Sequence, residues 1–106
     1  PSPAALKEFA RLAKDDPSPF VRLYLAAALQ RTPVEGRTPV LEALLAHGED
    51  AQDHNLPLMY WYATEPVAGL DTKQAVTLMG KSKIPLVRQF IARRMASGDK
   101  VAAVER

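Results

Sequence analysis

Eleven helix-breaking positions punctuate this chain at intervals, and their spacing limits what it can fold into. Pro17, Pro19, Pro33, Gly36, Pro39, Gly48, Pro57, Pro66, Gly69, Pro85 and Gly98 cut it into pieces of about 8 to 13 residues. Between the breaks the apolar residues recur at helical spacing. In PAALKEFARLAK, Leu6, Phe9, Ala10 and Ala13 follow i, i+3, i+4, i+7. In TPVLEALLAHG, Val40, Leu41, Leu44 and Leu45 share a face, and Gly48 is placed to stop the helix. In DTKQAVTLMGK, Asp71 or Thr72 can cap a stripe of Ala75, Val76, Leu78 and Met79. In IPLVRQFIARRMASG, Val87, Phe90, Ile91 and Met95 align. No alternating strand pattern competes, so the expected class is all-α.

Three of these prolines bring segments into register. PFVRLYLAAALQR starts at Pro19, PLMYWYATEPV at Pro57 and PLVRQFIARRMAS at Pro85. One place on stand Phe20, Leu58 and Leu86; five on, Tyr24, Tyr62 and Phe90; six on, Leu25, Ala63 and Ile91; ten on, Leu29, Val67 and Met95. A shorter amphipathic helix precedes each segment. The pattern is three helix–turn–helix units at unequal spacing, with DKVAAVER placed to begin a fourth. About three units is near the minimum at which stacked hairpins bury a continuous core. Residues with +5 spacing, Tyr24, Tyr62 and Phe90, are expected to share that interior.

The segments DPSPFVRLYLAAAL and SKIPLVRQFIARRM resemble the second helix of HEAT repeats. That resemblance implies a right-handed α-α superhelix, a HEAT/armadillo-like solenoid of about three helical hairpins, and a scaffold with no activity of its own. The run SPFVRLYLAAALQR, LLAHGEDAQDHNLPLMYWYATEP and SKIPLVRQFIARR is also similar to the HEAT-like segment of large bacterial multidomain proteins described as membrane-bound dehydrogenases. Those carry a β-propeller before the helices and a C-x-x-C-H haem-c domain after them. This chain shows neither. By that resemblance, residues 1–106 are one helical repeat domain cut from a longer chain, with a periplasmic or extracytoplasmic parent. Any redox activity is implied by the resemblance for that parent, not for these residues.

The composition narrows the chemistry. The chain has no cysteine, which excludes disulfides, thiolate metal sites, a Cys nucleophile and covalent haem within it. No apolar run reaches the roughly 18 residues a bilayer span needs, so direct membrane insertion is not expected. The net charge of +2 conceals a segregation. Residues 1–40 sum to +2, residues 41–71 to −6 and residues 72–106 to +6, which favours docking between segments or onto a protein partner.

The stretch HGEDAQDHNLP gathers two histidines and three carboxylates. A metal or acid–base site would need them to converge, and H-x6-H is not a ligand spacing, unlike the i, i+4 pair of H-E-x-x-H. The plainer reading puts Glu49, Asp50 and Asp53 in a solvated loop, with Asp53 or Asn55 capping the next helix and Pro57 in its first turn. No metal and no cofactor is expected. The serines sit where helices start or end, none in G-x-S-x-G, so no nucleophile is assigned.

The next helix, LPLMYWYA, is apolar or aromatic on every side and is expected to be buried on most faces. Tyr60, Trp61 and Tyr62 carry polar tips that need partners, and the exposure of Trp61 is the least constrained. An aromatic sugar or cofactor pocket is the alternative. In register, Arg22, Tyr60 and Arg88 align three places after proline, which predicts guanidinium–phenol contact of roughly 0.5–2 kcal/mol. Eight places on, Glu65 and Arg93 align, which predicts an ion pair. Arg88, Arg93 and Arg94 lack a repeated aromatic and basic groove, so nucleic acid is not the expected partner. The function expected is a non-enzymatic scaffold that positions neighbouring domains or docks a protein. The alternative is a structural part of a haem- or quinoprotein-type dehydrogenase.

Overall fold

Each helix begins where the sequence provides a cap or a first-turn proline. The computed structural model describes residues 2–105, with side chains described for residues 2–97. It contains six α-helices, α1 Pro3–Asp15, α2 Pro19–Leu29, α3 Thr38–Leu45, α4 Leu56–Leu70, α5 Thr72–Lys81 and α6 Pro85–Glu105. Two 3-10 turns, Val34–Gly36 and Gly48–Gln52, precede and follow α3. There is no strand among the described residues. The Ser2 and Ser18 side chains accept hydrogen bonds from the Ala5 and Val21 amides, and Asp71 accepts one from Gln74. Asp53 Oδ1 accepts from Asn55 and Leu56, so Asp53 satisfies the start of α4.

Four expected breaks, Pro66, Gly69, Gly48 and Gly98, do not act as the sequence suggests. Helix α4 runs through Pro66 and Gly69 to Leu70. Pro66 removes only the amide that would bond the Tyr62 carbonyl, and Val67 and Ala68 beyond it stay buried. Gly48 is not a left-handed stop, since no described residue has positive φ. Helix α3 ends at Leu45, and the Lys83 amide from the α5–α6 connection caps the Leu45 carbonyl at 2.8 Å. A neighbour thus supplies the donor that a glycine turn would otherwise bring. Lastly, α6 continues to Glu105, so residues 99–105 extend it rather than open a fourth unit.

The helices form two layers. Helices α1, α3 and α5 pack side by side in one, α2, α4 and α6 in the other. The hairpins α1–α2, α3–α4 and α5–α6 join the layers. The molecule spans 46 × 31 × 19 Å, and the short dimension matches two helix layers set about 10 Å apart. The interior between them is mainly aliphatic: Leu25, Leu29, Leu41, Leu44, Leu45, Leu78, Ile84 and Ile91 are all but fully buried, with Tyr60 among them. Burying each contributes about 1.5–3 kcal/mol.

The register at six places after proline is buried throughout, as Leu25, Ala63 and Ile91 show. The register at five places is not. Tyr24 is 64 % exposed, Tyr62 53 % and Phe90 is half-buried. In α2 and α4 the buried stripe occupies the places three, six, seven and ten after proline: Arg22, Leu25, Ala26 and Leu29, then Tyr60, Ala63, Thr64 and Val67. Each residue turns the helix by about 100°, so places one and five point away from that stripe. With no third layer to cover them, the aromatics there meet solvent.

Candidate functional site

The buried stripe of α2 carries one charge, Arg22, which is 2 % exposed. An ion so placed needs a counter-ion with good geometry. Asp50, on the 3-10 turn between α3 and α4, provides it and is itself 3 % exposed. Arg22 Nε donates to Asp50 Oδ2 at 2.7 Å, and Nη2 donates to Oδ1 at 2.7 Å, a two-pronged pair. The fully buried Tyr60 hydroxyl, from α4, donates to Oδ2 at 2.6 Å. Arg22 Nη1 also donates to the Asp16 carbonyl at 3.4 Å. Asp50 hydrogen bonding holds the Arg22 guanidinium above its usual range. Burial, followed by the Asp50 bond, pushes the Tyr60 phenol well up. The three groups tie α2, the 3-10 turn and α4 into one unit.

A second guanidinium is buried without a carboxylate. Arg37 donates from Nε to the Thr32 carbonyl at 2.9 Å and from Nη1 to the Ala63 carbonyl at 3.0 Å. Its Nη2 reaches the Gln30 carbonyl at 3.5 Å. Burial lowers the affinity of Arg37 for its proton. The side chain sits at the carbonyl end of α2, where the helix dipole favours positive charge. It bridges from there to α4. Among the described residues, no buried side-chain nitrogen or oxygen lacks a hydrogen-bond partner.

The outer side of the second layer is different. Phe20 is 81 % exposed and Leu58 41 %. Tyr24 and Tyr62 are exposed as well, at matching outward places on α2 and α4. Leu23, Asn55, Leu58, Met59 and Tyr62 line a groove of about 400 Å³ between the two helices. Over the α4–α6 seam, Trp61 meets Phe90 edge to face, with ring centres 5.4 Å apart. The Arg93 guanidinium lies 5.7 Å from the Phe90 ring centre. Arg94 packs over Gly69, where an added Cβ would come within 2.9 Å of its Nη2. Of seven aromatic residues in the chain, five (Phe20, Tyr24, Trp61, Tyr62 and Phe90) belong to this side.

These positions revise the expected contacts. Arg22 and Tyr60 do come together, but through the Asp50 carboxylate rather than ring stacking. Arg88 is exposed and lines a separate groove with Val76, Met79 and Pro85. The described ion pairs do not include Glu65 with Arg93, because Arg93 is drawn over Phe90 instead. Asp50 does not lie in a solvated loop as expected, whereas Glu49 and Asp53 are exposed. The signal for Asp50 was Arg22 itself, a charge at a core position that calls for a carboxylate. Arg37 left no comparable signal, since its partners are all main-chain carbonyls. His47 is engaged with the Ala13 carbonyl and Glu49, and His54 is exposed. Among the described residues, no three His, Asp or Glu side chains are grouped to hold a metal ion. No described helix is long and apolar enough to cross a membrane.

No protein-family model, curated protein or solved structure matches this chain.

Proposed function

We propose that the chain is a non-enzymatic helical-repeat scaffold of HEAT type that docks a protein partner on the outer side of α2, α4 and α6. One observation carries this reading: Phe20, Tyr24, Leu58 and Tyr62 are exposed on α2 and α4 at the places one and five after proline, turned away from the buried stripe. Large apolar side chains exposed on the same side of neighbouring helices mark interaction sites. Aromatic and arginine side chains are also those enriched where proteins bind one another. The side-by-side order of first helices and of second helices supports a superhelical repeat, with successive second helices presenting one surface. In a longer parent chain the same surface would seat a neighbouring domain.

Selection of a random peptide library against the folded chain tests this, with the bound site mapped by NMR shifts. Peptides that perturb Leu23, Leu58, Tyr62 and Phe90, and lose binding in Tyr24→Ala/Tyr62→Ala, are the expected result. Peptides that settle on the α1–α3–α5 side would refute the reading.

A further inference from the structure

We infer that His47 is a pH-sensitive latch: its charged ring clasps the 3-10 turn Gly48–Gln52 to the end of α1, and its neutral ring keeps α1 but lets go of the turn at Glu49. The inference is independent of the docking reading. It starts at Ala13, which is fully buried in the last turn of α1. The residue four places on is Pro17, which has no amide to give the Ala13 carbonyl. His47 Nε2 reaches that carbonyl instead, from the connection after α3. The carbonyl end of a helix also favours positive charge. The other ring nitrogen, Nδ1, stands 3.0 Å from Glu49 Oε2. A carbonyl and an ionised carboxylate only accept hydrogen bonds, and a neutral imidazole has a single N–H to donate. The imidazolium alone serves both.

The two bonds are unequal. A buried carbonyl left without a donor is costly, whereas the exposed Glu49 carboxylate turns to water at little cost. When the ring gives up a proton, Nδ1 loses it and Nε2–H stays on Ala13. Histidine is the side chain whose ordinary charge change falls between pH 5 and 8. Lys14 of α1, Glu42 of α3 and Lys81 and Lys83 at the end of α5 line the same groove as His47, and Lys81 is engaged with Glu42 at 3.3 Å. Arg22 of α2 lies 3.9 Å from Glu49 and is itself held by Asp50. The His47 hydrogen bond holds the Glu49 carboxyl below its usual range. The latch therefore stays closed at mildly acid pH and opens as pH rises through the histidine range. The turn it releases carries Asp50, whose amide bonds the His47 carbonyl, so loosening reaches the residue that pairs with Arg22.

NMR titration of the 106-residue chain from about pH 5.5 to about pH 8.5 tests this. Both ring nitrogens of His47 should carry a proton at the acid end, and Nε2 alone at the alkaline end. Over the same range the Asp50 amide should lose about two- to fivefold of its protection against hydrogen exchange, corrected for the intrinsic rate. Glu49→Gln, at an exposed site, should fold as the unsubstituted chain does and abolish that loss, because an amide group pairs with either form of the ring. His54→Gln, at the other histidine, should leave it intact. Protection unchanged across the range would overturn the inference. So would a loss that persists in Glu49→Gln or disappears in His54→Gln, or a His47 ring bearing a single proton at the acid end.

Discussion

Asp50 is the residue on which the packing of α2 against α4 turns. It receives both prongs of Arg22 and the Tyr60 hydroxyl in the interior. Removing it leaves the buried guanidinium with only the exposed Glu49 carboxylate, 3.9 Å away, so Asp50→Ala should cost about 3–5 kcal/mol in urea titration. The triple change Arg22→Met/Asp50→Leu/Tyr60→Phe removes every charge and hydroxyl together. It should cost less than Asp50→Ala alone. Tyr60 also predicts a pH dependence. Its folded phenol binds its proton more tightly than the unfolded one, whose ordinary value is 10.0. The stability this contributes is fully present below pH 10 and is lost as pH rises beyond it. Thermal melts should therefore show a decline above pH 10 that is shallower in Tyr60→Phe. The need for a buried partner was legible in the placement of Arg22 on an apolar stripe. Which of three neighbouring carboxylates would answer it was not, because that depends on how a five-residue 3-10 turn folds inward.

At the scale of elements, helix beginnings were the most legible feature. Serine, aspartate and first-turn proline satisfy or remove the amides left over at a helix start, and this chemistry is local. Helix ends depend on neighbours. Gly48 reads as a stop, yet Lys83 caps α3 from another hairpin; Pro66 and Gly69 read as breaks, yet buried contacts carry α4 through them. Gly80 lies inside α5, and a methyl group added there meets nothing within 4 Å. Gly80→Ala should raise unfolding free energy by about 0.5–1 kcal/mol, since alanine loses less backbone freedom on entering a helix. A fall in midpoint denaturant concentration would mean that α5 is not helical at this position. Arg37 makes the opposite case. Its planar fork reaches carbonyls on two segments, so Arg37→Lys should lose about 1–3 kcal/mol despite keeping the charge.

For the whole molecule, the three-hairpin pattern was readable because apolar residues recur at matching places after Pro19, Pro57 and Pro85. Which side of the second helices faces inward was not. Helices α2 and α4 are apolar nearly all round, so periodicity alone could not separate Tyr24 and Tyr62 from Leu25 and Ala63. The two-layer packing decides it, burying one side and leaving the aromatic side open. The account of this protein as a docking scaffold depends on that assignment. Its most direct test is the unfolding free energy of Tyr24→Ala/Tyr62→Ala measured in urea. Two exposed rings removed together should change it by less than about 1 kcal/mol. A loss of about 3–5 kcal/mol for each, as for aromatics taken from a core, would show that these rings hold the fold together rather than await a partner.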